Sequence, residues 1–226
     1  MIRFTLAIIT TEPENRGERE MKRITLPDYY ELDTRPVPVE MGLPSDASIY
    51  GMRTQTSSGM LIIFPVSEKE SMPFDNDRAI IDSLHESLTG ENEGLVEVGH
   101  GTTKNGFPYV YDIIKHRMVG EQGIPSGMEY TINLNLKYPD EIGYINGSFM
   151  EEGISGVRES IVLEMYSREK DSMDEAFKSW MEDPYDKDYK QGLLRNYSER
   201  SEVDALFPDH PLSLVRELIR YIKSNN

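Results

Sequence analysis

The chain has 226 residues, of which 38% are hydrophobic and 28% are charged, and its formal net charge is −16. These proportions are typical of a folded protein, and the acidic excess argues against nucleic-acid or anionic-lipid partners, which need clustered Lys and Arg. Because the chain contains no cysteine, disulfides, Fe–S clusters, thiolate nucleophiles and Cys-ligated zinc are excluded. We therefore expect a cytoplasmic protein that binds neither nucleic acid nor membrane.

The N-terminal segment, residues 1–47, is predicted to contain one strand followed by an irregular extension. Met1–Thr10 has a short apolar run and a single Arg. This run is too short to span a bilayer and lacks a convincing cleavage site, so a strand is favoured over a signal peptide. Met21 offers an alternative start. The prolines between Asp33 and Pro44 predict an irregular surface crossing.

A core domain is predicted over residues 48–170, and it begins with a β-hairpin and a helix. Ile49–Thr54 and Gly59–Val66 flank a Ser-Ser-Gly turn, which predicts the hairpin. The second arm is apolar at consecutive positions and should lie centrally, covered on both faces. Asn76–Leu88 has apolar residues at helical spacing, with His85 on the outward face.

The middle of the chain is predicted to form an antiparallel meander, followed by a helix that begins after Gly156. The meander segments are Leu95–Thr103, Phe107–Met118, Met128–Tyr138 and Ile142–Met150. In the third segment, apolar and polar residues alternate, which indicates a strand with one buried face. The short connections between the segments, one of them an Asn-Gly turn, favour antiparallel pairing.

The last part of the chain, residues 171–226, is predicted to be a helical extension packed on the core. Helices are expected at Ser172–Met181 and Leu212–Ile222. Between them, the stretch from Asp183 to Ser213 is polar and rich in aromatic residues and proline, which predicts a fixed path over the folded body. The fold class is therefore α+β, with a mainly antiparallel twisted sheet of about six strands covered by helices and a wrapping C-terminal extension.

The order of these elements over Ser48–Arg168 resembles the Mog1/PsbP-like α/β fold, in which a twisted antiparallel sheet is covered by helices. Members of that fold are commonly adaptor or assembly proteins, so the resemblance implies a non-catalytic role and carries no site residues. The stretch from Asp183 to Ser213 also resembles segments of uncharacterised proteins from Gram-positive bacteria. That second resemblance implies a bacterial source and no activity.

The sequence contains no reliable catalytic, phosphate-binding or metal-binding motif. The histidines lack metal-ligand spacing, so surface or partly buried roles are expected for all of them. The turn from Gly153 to Glu159 lacks the phosphate-loop signatures and is interpreted as a tight strand-to-helix turn, in which Arg158 pairs with a nearby acid. No cofactor and no metal are therefore expected.

The sequence thus predicts a protein-binding or adaptor module that is not an enzyme. The candidate residues for contact with a protein partner are Trp180, Tyr185, Tyr189 and Arg158. A simpler account of the aromatic residues is that they dock the extension on its own domain. The alternative function is a hydrolase, whose pocket should gather His100 or His116 with acids of the meander. A small-ligand carrier that uses the concave face of the sheet is a third class.

Overall fold

The computed structural model describes residues 24–35, 42–120 and 123–226. The strand predicted for Met1–Thr10 lies outside these residues. The described part of the chain forms a seven-stranded antiparallel sheet, a separate two-stranded sheet, and helices on both faces of the larger sheet. None of the helices in these residues is long and apolar enough to cross a membrane.

The predicted hairpin, meander and helices are present with shifted ends, whereas the strand at Glu31–Leu32, the small two-stranded sheet and the 3-10 segments were not predicted. The strands of the main sheet are β1 (Glu31–Leu32), β2 (Ser48–Arg53), β3 (Ser57–Val66), β4 (Glu93–Thr102), β5 (Pro108–Val119), β6 (Pro125–Lys137) and β7 (Ile142–Glu151). The small sheet pairs β8 (Met181–Glu182) with β9 (Arg195–Asn196). The helices are α1 (Asp77–Ser87), α2 (Val157–Ser167), α3 (Met173–Lys178) and α4 (Pro211–Asn225), and 3-10 segments span Tyr197–Glu199 and Ser201–Leu206.

The main sheet has the strand order β1-β2-β3-β7-β6-β5-β4, so β3 lies in its interior and β4 is an edge. It contains seven strands, more than predicted, because Glu31–Leu32 pairs with β2 at the opposite edge. Those two residues lie in the segment predicted to be irregular. A strand this short contains no alternation of polar and apolar residues, so the sequence did not indicate it.

The main core lies between the sheet and α4. The apolar residues of β6 that alternate with polar ones, such as Ile132 and Leu134, all point to this side and are fully buried. Leu212, Leu218 and Ile222 of α4 pack against them. Each such side chain contributes about 1.5–3 kcal/mol when buried, so this layer is a major source of stability.

On the opposite face of the sheet, α1 packs near the β4 edge. Ile80 and Ile81 of α1 form a second buried cluster with Leu95 and Val110. The helix begins where the side chain of Asn76 accepts a hydrogen bond from the Ala79 N–H at 3.1 Å. Because α1 is one short helix, it covers only part of this face.

The C-terminal extension follows the β4 edge along a fixed path. The Leu193 N–H donates to the Glu93 carbonyl at 2.7 Å, and the Tyr185 hydroxyl donates to the Val98 carbonyl at 3.1 Å. The approach is so close at Gly94 that a Cβ there would lie 1.8 Å from the Leu193 carbonyl oxygen. Only glycine is compatible with this contact.

The prediction that His85 faces outward from α1 was wrong. Its side chain is only 11% exposed, and its Nε2 lies 3.0 Å from Asp183 Oδ2. The imidazole also stacks on Tyr189 with a centroid separation of 3.9 Å. The physical reason is that the extension returns to cover this side of α1, which local periodicity does not reveal.

Candidate functional site

A network of buried charges joins the C-terminal extension to α2. Arg158 is 1% exposed, and its guanidinium donates to the Ser198 carbonyl at 2.7 Å, to Ser213 Oγ at 2.9 Å and to Asp204 Oδ1 at 2.9 Å. Arg216 Nη1 reaches the same Asp204 oxygen at 3.0 Å. Arg158 therefore does pair with an acid, as predicted, but the acid is distant in sequence.

A second buried ion pair connects the extension to the sheet. Lys115 Nζ lies 2.6 Å from Glu199 Oε2, and the two side chains are 1% and 0% exposed. The lysine also donates to the Leu194 carbonyl at 2.8 Å, and the Tyr130 hydroxyl donates to Glu199 Oε1 at 3.0 Å. Burial, together with the Glu199 charge, raises the pKa of Tyr130 well above its usual range. The pair is matched on both sides, so we interpret it as structural.

Three side chains beside this network resemble a metal-ligand set. Glu151, Glu159 and His210 offer atoms that lie within 4.8 Å of one another. However, His210 Nδ1 accepts a hydrogen bond from the Leu212 N–H at 3.2 Å. Burial and the nearby Arg158 lower the pKa of His210 to about 3, which keeps the ring neutral. The ring proton must then lie on Nε2, which has no lone pair to give a metal, so these residues fit a cation poorly.

The face of the sheet that α1 leaves open forms a groove of about 1030 Å³. Polar side chains that line it include Asp112, His116, Glu129, Asn133, Asn135 and Tyr144. Apolar side chains that line it include Met72, Leu84, Leu88, Ile114, Met118 and Val119. A large groove with converging polar groups on an apolar wall is the usual form of a ligand-binding or catalytic site.

Asp112 is the most perturbed acid of the groove. It is 4% exposed, and its Oδ1 accepts a hydrogen bond from Asn133 Nδ2 at 2.8 Å. Asn133 is held in turn by the Tyr144 hydroxyl at 2.6 Å and by Asn146 Nδ2 at 2.9 Å, both of which donate to its Oδ1. Burial raises the pKa of Asp112 to about 7. Such a shift in a cleft marks a candidate functional residue.

The groove also brings His116 close to an acid. His116 of β5 lies directly opposite Glu129 of β6, and Ser148 Oγ donates a hydrogen bond to Glu129 Oε1. Asp112 lies on the same face of β5, about 13 Å along the strand from His116. His100 lies elsewhere, with its Nδ1 2.8 Å from Asp77 Oδ1 at the surface. Of the two histidines in the alternative hypothesis, only His116 meets acids of the meander.

The candidate partner-binding residues all make contacts within the chain. Arg158 is buried in the network described above, and Tyr185 bonds to Val98. The Tyr189 hydroxyl donates to the His85 carbonyl at 2.9 Å. Trp180 packs near Tyr166 and Tyr197, with ring centroids 5.8 and 6.3 Å away. These contacts are those of an extension docked on its own domain.

A row of apolar side chains on α2 points to solvent instead of to the core. Val157, Ile161 and Met165 follow one another at every fourth position and are 42%, 43% and 49% exposed. Further exposed apolar residues lie just before α2 and on α3, which packs against it. We call this set the apolar face: Ile154, Val157, Ile161, Met165, Met173 and Phe177.

The sequence indicated neither which side of α2 faces the core nor which residues line the groove. The helix buries Arg158, Val162 and Tyr166, although Val157 and Ile161 have the more suitable side chains for a core. In β6, the alternating polar residues such as Asn133 indicated a solvent-facing side, which is the floor of the groove. The signals available in the sequence were an Arg among the apolar positions of α2 and the Asn-rich polar face of β6.

Comparison with known proteins adds no functional assignment: no protein-family model matches the chain, and no curated protein matches it. The functional proposal therefore depends on the three features described above, which are the buried ionic network, the groove and the apolar face.

Proposed function

We propose that this chain is a non-catalytic protein-binding module of the bacterial cytoplasm, and that its partner docks on the apolar face. The supporting observation is the exposure of large apolar side chains on two adjacent helices, reaching 82% for Ile154 and 56% for Phe177. Contiguous exposed apolar surface on a folded protein is characteristic of interaction sites. The resemblance to the Mog1/PsbP-like fold, with its adaptor proteins, favours the same function.

The buried network keeps the apolar face turned outward. Burying Val157 and Ile161 in place of Arg158 would require α2 to rotate by about 100° about its axis. That rotation would withdraw the Arg158 guanidinium from Asp204. Leaving a buried charge without its partner costs about 3–5 kcal/mol, so the rotated helix is strongly disfavoured. The exposed apolar row is therefore a fixed feature of the fold.

The charged residues near the apolar face indicate which charges the partner should carry. The exposed acids of α2, α3 and the loop between them are Glu164, Glu169, Asp171, Asp174 and Glu175, and the exposed bases there are Arg168 and Lys178. Acids thus outnumber bases around the face, in a chain with a net charge of −16. Charge complementarity favours a partner whose own apolar patch is bordered by Lys and Arg.

The proposal is tested by placing a charge in the centre of the face. Ile161→Glu should reduce recovery of the partner from host extract by at least about tenfold, because a central apolar contact is lost and an acid is buried. Leu32→Ser is the matched control, since Leu32 is also exposed (50%) but lies on β1. The partner that depends on Ile161 is then purified and titrated against all three proteins by calorimetry.

Two results would contradict the proposal. One is that the extract contains no protein that binds wild type and Leu32→Ser but fails to bind Ile161→Glu. The other is that the purified chain self-associates with increasing concentration and that Ile161→Glu abolishes this. In the second case, the face would bind another copy of the chain instead of a separate partner.

The second candidate function is a hydrolase that uses the groove. The observation that favours it is the position of His116 opposite Glu129 in the lining of the groove. His116 could act as general base toward water while Glu129 orients the ring across the strand pair. Chromogenic esters, phosphoesters and glycosides provide the test. Hydrolysis should disappear in His116→Ala and persist in His100→Ala; equal activity in both variants would refute this candidate.

A further inference from the structure

The floor of the groove contains a buried carboxyl with unused hydrogen-bonding capacity. Asp112 is 4% exposed and receives one side-chain hydrogen bond, from Asn133. An ionised carboxylate can accept about four hydrogen bonds. Since Tyr144 and Asn146 hold the Asn133 oxygen, the Asn133 amide cannot turn to offer Asp112 more. A ligand is the natural source of the missing donors.

A buried donor without a partner lies on the same floor. Asn135 is 1% exposed, and its Oδ1 accepts a hydrogen bond from the Met72 N–H at 2.9 Å. That bond fixes which side-chain atom is the nitrogen, and Nδ2 has no hydrogen-bond partner among the described residues. An unsatisfied buried donor costs about 1–3 kcal/mol. Because Nδ2 is covered, a ligand oxygen reaches it only when the side chains over it move aside, and the new hydrogen bond then adds binding free energy.

Asp112 and Asn135 are near neighbours on the floor of the groove. Asp112 lies opposite Asn133 in the β5–β6 ladder, so Asn135 is its diagonal neighbour. Diagonal neighbours in an antiparallel pair lie about 7–8 Å apart. The side chains of Met72, Leu84 and Ile114 line the same groove. The groove thus combines an anionic group, a neutral donor and an apolar wall.

We propose that the groove binds a small organic cation, an alkylamine or guanidine, that also carries a carboxylate or carbonyl oxygen. Its cationic group pairs with Asp112, its oxygen accepts from Asn135 Nδ2, and its carbon chain lies against the apolar wall. The groove lining as a whole is acidic, with Glu70, Glu93 and Glu129 against Arg117. This charge favours the cationic end and disfavours a simple anion. The inference does not depend on the partner proposed for the apolar face.

The experiment uses ω-amino acids as probes: γ-aminobutyrate, δ-aminovalerate and ε-aminocaproate. Each places an ammonium and a carboxylate at the ends of an alkyl chain. Pentylamine lacks the acceptor, and valerate lacks the cation. Binding to the full chain is measured by calorimetry and by NMR shifts of the Asn135 side-chain amide, at a pH above 8 so that Asp112 is ionised.

We expect at least one ω-amino acid to bind, with pentylamine at least about fivefold weaker and valerate not binding. Asp112→Asn keeps the shape of the side chain and should weaken binding by about tenfold or more. Glu70→Gln, which removes a charge from the exposed border of the groove, should change the affinity less than about twofold.

The proposal fails if none of the ω-amino acids binds at millimolar concentration, or if Asp112→Asn and Glu70→Gln weaken binding equally. Equal affinity for pentylamine would overturn the role of Asn135. A lysine-containing peptide that binds far more tightly than any of the free amino acids would show that the ligand is a polypeptide segment, and would overturn the small-molecule assignment. Circular dichroism establishes that each variant is folded.

Discussion

Two buried ionisable side chains lie on opposite faces of β5 and have different kinds of partner. Lys115 points toward the extension and is paired with Glu199 at 2.6 Å. Asp112 points into the groove and has an amide for its partner, Asn133. Burying a charge without an opposite charge is costly, whereas a matched pair offsets part of that cost. We therefore interpret Lys115 as a structural residue and Asp112 as the candidate ligand-binding residue.

Asp112 should make the protein less stable as the pH rises. Burial raises its pKa from 3.8 to about 7 in the folded state, so the native protein retains a proton that the unfolded chain releases between these values. The free energy of unfolding from this group therefore falls across that window as pH increases. The stability of Asp112→Asn relative to wild type should therefore rise with pH, by about 2–3 kcal/mol between pH 5 and pH 8.

Urea unfolding of both proteins at the two pH values measures this difference. If Asp112→Asn gained the same stability at both pH values, Asp112 would not be protonated in the native state at pH 5. The comparison between variants is needed because Glu159 also has its pKa raised by burial and His210 has its pKa lowered by burial. Those groups contribute equally to wild type and variant.

The Lys115–Glu199 pair should be costly to break from one side. Lys115→Met would leave Glu199 buried without its cation and the Leu194 carbonyl without its donor. We expect a loss of about 3–5 kcal/mol in the free energy of unfolding. Adding Glu199→Gln should restore part of that loss. The interpretation would be contradicted if the double variant lost more unfolding free energy than the two single variants lose when their losses are added.

At the scale of elements, the C-terminal extension covers the exposed edge of the main sheet. β4 is an edge strand, and unpaired edges invite pairing with other chains. The Tyr185 hydroxyl bonds to both the N–H and the carbonyl of Val98, and Leu193 bonds to Glu93. The extension thus occupies backbone groups that another strand would otherwise reach.

Tyr185→Phe should uncover part of this edge. The Val98 amide loses its acceptor, so its hydrogen exchange should accelerate by about tenfold, and the protein should lose about 1 kcal/mol of stability. The amide of Ile132, in the sheet interior, serves as the internal control. Unchanged exchange at Val98, or equal acceleration at both amides, would show that the hydroxyl does not protect the edge.

The sequence predicts most of the elements and little of the candidate sites. The alternation in β6 and the helical spacing in α4 are local patterns, so the sequence alone predicts both elements. The buried position of Arg158 depends on Asp204, and that of His85 depends on Asp183; both partners are distant in sequence. Periodicity carries no information on such contacts. The residues that line the groove were not predicted for the same reason, since a polar strand face indicates contact with water whether or not a helix covers it.

For the molecule as a whole, the charge of −16 is a source of self-repulsion in the folded state. Salt screens charges on the surface much more than the buried Arg158 and Lys115 pairs. Raising NaCl from about 0.05 M to about 0.5 M should therefore increase the melting temperature. Scanning calorimetry measures the shift. A melting temperature that falls with salt would mean that exposed ion pairs outweigh the repulsion.

The central claim is that a partner protein binds the apolar face of α2 and α3. The most direct measurement is photocrosslinking in the host cell, with a photoreactive phenylalanine analogue at position 161 and, as the control, at position 32. We expect one discrete product with a different protein from position 161 and none from position 32. Absence of any product from position 161, or a product containing only this chain, would contradict it.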